Sequence, residues 1–298
     1  MLTALDHIII GVNNLTHADR LFAEHLGLIS SGGGNHPSGG TANRIIVIGD
    51  TYLELIAVRA PEEAQQSMLT RLAKGDGYLN CVLASDDIVS DSRAMFERGV
   101  KIIGPNQGSL KSADGSVRNW QRTDVERPDL TQHYPFIIQH DSSGEERQRR
   151  LAGGKIPPIH PLGVQSVLSA TLATSELSEA RQRFQHIYGL TPTTQSQQST
   201  WGAELVSFPL ANQQQRLELA APVAGQQVEL ALEDTLATHV RNFGESLYRI
   251  TLGVSNLAAS QQYLDNHNVG YTALHVGQPT LWLHPKQTAG ATIVLQEA

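Results

Sequence analysis

The sequence predicts an α+β fold in which four βαβββ modules form two cupped, mostly antiparallel sheets with helices outside. Three observations lead there. An apolar strand, a polar turn and an amphipathic helix follow one another four times, in Leu5–Leu15 (LDHIIIGVNNL), Tyr78–Ile88 (YLNCVLASDDI), Val167–Leu177 (VLSATLATSEL) and Tyr248–Leu257 (YRITLGVSNL). Every one of the helices stops at the same kind of signal. Strand-forming runs follow each helix. One such unit cannot cover both faces of its sheet, so units are expected to pair side by side around a concave cavity.

The elements can be justified in chain order. Turn residues around Asn13, Ser85, Thr174, Ser175 and Ser255 suit helix N-caps, because their side chains satisfy free backbone N–H groups. In the first helix Leu15, Ala18, Leu21, Phe22 and Leu26 share a face, and Gly27 ends it. The second places Ile88, Ala94, Met95 and Phe96 before Gly99, and the third Leu177, Ala180, Phe184 and Ile187 before Gly189. The fourth has Leu257, Tyr263 and Leu264 before Asn268–Gly270. Strand runs follow as NRIIVIG and TYLELIAV around the Gly49–Asp50 turn, then SVRNWQRT and PFIIQH. The later modules supply GAELVSFPL and QRLELAAP, then GYTALHV, TLWLHP and ATIVLQE.

A chain of 298 residues fits two domains, placed at 1–145 and 160–298 with a linker at 146–159. The region Asp141–Pro161 is polar and then rich in Gly and Pro, and its EERQRR run reads as a solvated face. The net charge of −7 argues against nucleic-acid or anionic-membrane partners. One cysteine, Cys81, fits a reducing compartment, and its strand neighbourhood predicts a buried, inert thiol. The start MLTALDHIII lacks a basic region or a cleavage site, so the expected location is cytoplasmic. The chain is expected to act as a monomer or homodimer on a small molecule.

G-x-S-x-G, H-E-x-x-H and C-x-x-C patterns are missing, which lowers serine-hydrolase, zincin and zinc-finger readings. Gly34–Thr41, GNHPSGGT, comes close to a phosphate-binding loop. However, Gly40 takes the place of its lysine, and the segment runs into a strand instead of a helix N-terminus. It reads either as a flexible crossover or as a loop arching over the first cup and carrying His36. Arg118, Trp120 and Arg122 share one strand face and suit a planar or anionic ligand; the plainer reading of Trp120 is packing.

The repeat, LDHIIIGV with His7 and YLELIAV with Glu54, together with GGGNHPSGGTANRIIVIGD, resembles the vicinal-oxygen-chelate superfamily. Within it the glyoxalase-like domain family is the nearer likeness, through its G-G-x-H…G-T-x-N loop. The resemblance implies ligands on the first and last strands of paired modules. In the first cup these positions carry His7, Glu54, Asn80 and Gln139, with His140 beside it; in the second they carry Ser169, Glu218, Arg249 and Gln296. His7, Glu54 and His140 are then metal-ligand candidates for a divalent ion (Zn, Ni, Mn or Fe), with His7 and Glu54 also catalytic. His36, Asn43, Asn80, Trp120, Arg118 and Arg122 would contact substrate. Asn80 stands where many metal-using relatives have a second histidine, so the cup is expected either to hold a metal or to work without one. The implied function is a lyase, isomerase or dioxygenase-type enzyme; the alternative is metal-free small-molecule sequestration. Glu218 opposite Arg249 reads as an internal ion pair or a vestigial second cup.

Overall fold

The structure is a computed structural model and describes residues 1–111, 115, 117–126, 134–223, 235–275 and 277–298. The first sheet contains β1 (Leu2–Gly11), β2 (Gly32–Asn35), β3 (Thr41–Ile48), β4 (Thr51–Val58), β5 (Gly77–Ser85), β6 (Ile102–Lys111), β7 (Val117–Val125) and β8 (Phe136–His140). Its order is β2-β3-β4-β1-β5-β8-β7-β6. The second contains β9 (Val164–Ala173), β10 (Thr194–Gln198), β11 (Ala203–Pro209), β12 (Arg216–Pro222), β13 (Ser246–Val254), β14 (Tyr271–Leu274), β15 (Thr280–Leu283) and β16 (Thr292–Glu297). Its order, β10-β11-β12-β9-β13-β16-β15-β14, repeats the first. In each sheet the two modules meet through an antiparallel central pair, β1 with β5 and β9 with β13. The first and last strands of each module pair in parallel, and the remaining pairs are antiparallel. The sheets curl into half-barrels, the α+β architecture expected.

The four repeat helices are α1 (Leu15–Arg20), α3 (Ile88–Glu97), α5 (Leu177–Tyr188) and α7 (Leu257–Asn266). α1 continues into a wider π turn at Leu21–His25. Their N-caps are Asn14, Asp87, Glu176 and Asn256, one or two residues beyond the turn residues expected. The shift follows from reach: Asn14, Asp87 and Asn256 each accept from the N–H three residues on. Gly189 closes α5 in the left-handed conformation, at φ +68, the backbone region where a Cβ is least welcome. Three more helices, α2 (Gln66–Leu72), α4 (Gly144–Leu151) and α6 (Leu236–Phe243), lie in the connections between modules. The EERQRR run is α4, and it is not uniformly solvated: Arg147 is buried beneath it.

The helix-covered faces of both sheets merge into one apolar core. Leu5, Ile8, Phe22, Leu53 and Leu83 of the first half join Ala170, Phe184, Leu217, Leu252 and Ile293 of the second. Buried polar contacts pin the halves together. The Gln215 carboxamide accepts from Leu5 N at 2.8 Å and donates to Thr51 Oγ1 and Val167 O at 2.8 and 2.9 Å. Tyr78 donates to Thr292 O, and Tyr188 to Pro135 O. Among the described residues no helix is long and apolar enough to cross a membrane.

Gln215→Ala would strand the Leu5 N–H and the Val167 carbonyl inside this core, and unsatisfied buried groups cost about 1–3 kcal/mol each. The expected loss is about 2–4 kcal/mol in urea unfolding. A change below about 0.5 kcal/mol would mean that water replaces the carboxamide.

Candidate functional site

The site begins with a backbone irregularity repeated in all four modules. In the central pair of the first sheet, Leu5 faces Leu83 and His7 faces Val82, so Asp6 is left unpaired; Leu79 is skipped likewise on β5. In the second sheet Leu168 and Tyr248 are skipped in the same way. Each of these β-bulges directly precedes one of His7, Asn80, Ser169 and Arg249, so the register supports their equivalence. It corrects the last-strand partners. Glu54 pairs with Ile9 and Glu218 with Thr171, but the matching partners of Val82 and Thr251 are Phe136 and Val294. Gln139 and Gln296 were matched by polarity, not by register. Gln139 in fact turns outward and bonds Ile88 N and Asp86 O at the start of α3.

A bulge breaks the strict alternation of strand side chains. Leu5 and Ile8 both face the helix-side core, which leaves Asp6 and His7, consecutive residues, on the opposite, concave side. His7 Nδ1 lies 2.6 Å from Asp6 Oδ1, and both side chains are buried. Asp6 Oδ2 accepts from Arg147 Nη2 at 2.7 Å, and Oδ1 is 3.3 Å from His140 Nε2. Arg147 also donates to Asp50 O, so α4 is tied to the β3–β4 turn. Burial by itself would raise the Asp6 pKa; the charges of Arg147 and His140 and the imidazole hydrogen bonds outweigh it and hold the carboxyl well below its usual range. An ionised Asp6 accepts a hydrogen bond from His7 Nδ1–H, which fixes the proton on Nδ1 and directs Nε2 away from Asp6. That nitrogen faces Glu54 Oε2 at 3.8 Å. The ring is clamped by Tyr52, stacked at 4.5 Å, and by the edge of Phe136 at 5.9 Å.

The glycine-rich stretch is a hairpin in which β2 forms an edge strand on β3, replacing the expected loop or crossover. Glycine is required there by close approach: a Cβ on Gly32 would sit 1.8 Å from Leu151 O at the end of α4. The hairpin brings His36 into the cup, its Nε2 3.6 Å from Glu54 Oε1. Asn43 is the hub. Its amide donates to Glu54 Oε1 at 2.6 Å and reaches His36 Nε2 at 3.3 Å, and its oxygen accepts from Gly34 N at 2.9 Å. His36 Nε2 is thereby the acceptor, and Nδ1 meets Thr41 Oγ1 at 2.7 Å as donor. The two imidazoles present Nε2 toward opposite oxygens of one buried carboxylate.

The sequence profile of the glyoxalase-like domain matches residues 5–177. The chain belongs to the glyoxalase-like domain family. A hypothetical protein from Staphylococcus aureus superposes with a TM-score of 0.68 at 14% identity, over 99% of this chain and 99% of that one. A triple mutant of 4-hydroxymandelate synthase from Streptomyces coelicolor does so with a TM-score of 0.70 at 8% identity, over 100% and 93%. Methylmalonyl-CoA epimerase from Mycobacterium tuberculosis covers 45% of this chain with 89% of its own, at 19% identity and a TM-score of 0.40. No curated protein matches the chain. The fold is shared with the first two of these structures over nearly their whole length.

The remaining residues singled out in the glyoxalase-like chain are placed as follows. Asn80 donates to Tyr134 O and accepts from Cys81 N, so its hydrogen bonds go to backbone and not to the Glu54 cluster. Trp120 packs with Ile9, Val82, Phe136 and Ile138 on the concave wall and lies 6.3 Å from the His140 ring. Arg122 is engaged by Asp124 through two hydrogen bonds and lies 3.6 Å over Phe136. Arg118 is buried on the same strand face. Cys81 is buried, and burial pushes its thiol up to about 12, which suits an inert role. Asp6 and Arg147 were missed as site residues: alternation would have turned Asp6 outward, and Arg147 lay hidden in a charge run.

A catalytic divalent ion needs about three protein ligands and an open position. Here His7 and Glu54 face each other, but His140 points to Asp6, Asn80 to backbone, and Phe136 stands where a second carboxylate would. Among the described residues no group of three or more His, Cys, Asp or Glu side chains is arranged to hold a metal ion. Of the two expectations, the donor set among the described residues does not fit the metal-holding one.

The second cup is filled. Trp201, Tyr248, Trp282, Leu205 and Val294 pack together on its concave side, with Leu236 of α6 covering them. Arg249 lies 3.5 Å from Glu218, donates to Thr171 Oγ1 at 3.1 Å, and lies 4.3 and 4.9 Å over Trp201 and Trp282. The Arg249–Glu218 ion pair is part of a packed interior.

Asp6→Asn leaves Arg147 buried without its counter-charge, and breaking a buried pair in this way costs about 3–5 kcal/mol. Because the folded Asp6 pKa is depressed, its contribution is complete above the ordinary aspartate value of about 3.9 and is lost as pH falls from there through the folded value. The stability gap between wild type and Asp6→Asn is therefore expected at pH 7 and should narrow on acidification below about pH 4. Denaturant titrations at several pH values measure it. A gap that stays constant into strong acid would contradict an ionised Asp6.

Proposed function

We propose that the first cup is the active site of an isomerase or lyase that moves a proton to or from a carbon of a small molecule, with Glu54 as base and His7 as its acid–base partner. One observation carries this reading: His7 and His36, each anchored through Nδ1, aim Nε2 at the two oxygens of Glu54 at 3.8 and 3.6 Å. Asn43 occupies Oε1, which leaves Oε2 as the basic atom. In the reaction a C–H bond beside a carbonyl breaks, its proton forms an O–H bond at Glu54 Oε2, and the electron pair moves onto the carbonyl oxygen. The proton returns to carbon or to a leaving group from Glu54, or from His7 after transfer to Nε2. Protonated His7 is an imidazolium, and the Asp6 carboxylate beside Nδ1 stabilises it. Tyr52 and Phe136 hold the ring in plane for that transfer.

The test is deuterium exchange. A panel of 2-oxo acids, 2-hydroxy ketones and acyl thioesters is incubated with the protein in D2O and followed by proton NMR. Wild type should exchange the α-hydrogen of at least one member. Glu54→Gln should lower that rate at least about 100-fold, and His7→Ala by a similar order. Exchange that survives Glu54→Gln would refute the assignment of the base. Ligand-induced stabilisation with no exchange in any compound would favour sequestration without chemistry.

A further inference from the structure

We propose that Arg118 is the anion-binding residue of the first cup and that its ligand is the carboxylate of a small organic acid. The inference deepens the proton-transfer reading by naming a substrate class, and it rests on a separate observation.

Three arginines are buried among the described residues: Arg118, Arg147 and Arg249, at 7%, 8% and 9% exposure. Two have carboxylates in place. Arg147 is held by Asp6 at 2.7 Å, and Arg249 faces Glu218 at 3.5 Å. Arg118 has none: among the described residues no hydrogen-bond acceptor or carboxylate partners its guanidinium, and its Nε is fully enclosed without a bond. A guanidinium cannot shed its proton to escape burial, as a lysine can. Burying such a charge unpaired costs several kcal/mol, so an arginine kept there calls for an anion that the described residues do not supply.

The position of Arg118 says where that anion would lie. Alternation along β7 sets Arg118 on the same face as Trp120 and Arg122, and Trp120 packs on the concave wall with Ile9 and Phe136. Trp120 pairs across the ladder with His140, which reaches Asp6. Arg118 also acts electrostatically on Tyr52, the residue that stacks on His7: burial, Asp6 and Glu54 push the Tyr52 phenol well up, while Arg147 and Arg118 oppose them. Arg122 is not available for the same task, because Asp124 already occupies it. The cup thus has a cationic end at Arg118, an apolar wall at Ile9, Phe136 and Trp120, and a basic centre at Glu54 and His7. A small acid fits these with its carboxylate on Arg118, its body on the wall and its acidic C–H toward Glu54. A guanidinium presents two parallel N–H donors that match the two oxygens of a carboxylate.

The test reads binding rather than turnover, with acetate as the probe and acetamide as its uncharged match. The Arg118 Nε–H resonance in a nitrogen–proton NMR spectrum should shift saturably with acetate and not with acetamide. Arg118→Gln should abolish the acetate-induced rise in Tm. Without any anion, Arg118→Met should melt at or above the wild-type temperature, because it removes an uncompensated charge. If Arg118→Met fails to fold, Arg118→Lys provides the check: it keeps the charge without the fork and should bind acetate at least tenfold more weakly. A wild-type resonance that ignores acetate, or moves equally with acetamide, overturns the proposal. An acetate response without deuterium exchange in any compound would sink the proton-transfer reading alone. Exchange by a protein indifferent to acetate would sink this one alone.

Discussion

The buried contact between Asp6 and Arg147 organises the first cup. It needs two unrelated features at once: a bulge that turns Asp6 inward beside His7, and a helix between the halves that delivers a guanidinium to the same point. A carboxylate at that depth would otherwise favour its neutral form, and a neutral Asp6 would no longer dictate which nitrogen of His7 carries the proton. Once Asp6 is ionised, the tautomer of His7 follows, then the direction of Nε2, and then its encounter with Glu54. The stack on Tyr52 keeps the ring from turning out of that line.

The two halves use one backbone plan for opposite ends. At the bulge of the first central strand, Asp6 and His7 stand where the second half has Leu168 and Ser169, and at that of the other, Leu79 and Asn80 stand where it has Tyr248 and Arg249. Tyr248 brings an aromatic ring to the concave face, where Trp201 and Trp282 join it and α6 covers the result. Arg249 is then enclosed with Glu218 and two indole faces, so its charge is met from within. The first cup keeps imidazoles, a carboxylate and an amide on that same surface. One sheet has an interior where the other has a site. The filled half still matters to the first, because Gln215 reaches across to the backbone of β1 one residue before Asp6.

Much of the fold was legible because the repeat is written in strong local signals. The central strands are long apolar runs, and Gly27, Gly99, Gly189 and Asn268 all take positive φ where the helices were expected to stop. Of the edge strands among the described residues, β14 was legible in GYTALHV and the other three were not. β2 is GGGN, β10 is TQSQQ, and β6 is interrupted by Gly104–Pro105. An edge strand has one ladder and little burial, so no apolar alternation marks it. The site was legible in part. His7, Glu54, His36 and Asn43 do come together, whereas Asn80 hydrogen-bonds backbone and Gln139 faces the wrong side.

Sequence by itself determined the modules, their helices and their stops, because these depend on contacts close in the chain or on a period repeated four times; the pairing of a histidine on β1 with a glutamate on β4 came from the family resemblance. Tertiary structure decided which side chains share the cup. A bulge shifts every later residue to the other face, and it is visible only in the register between β1 and β5, strands some seventy residues apart. The same holds for Arg147. Nothing local separates it from Arg149 and Arg150 in its run, and only the docking of α4 against Asp6 and Asp50 buries one guanidinium while Arg149 stays exposed and Arg150 lies half-buried on Asp141 and Glu146.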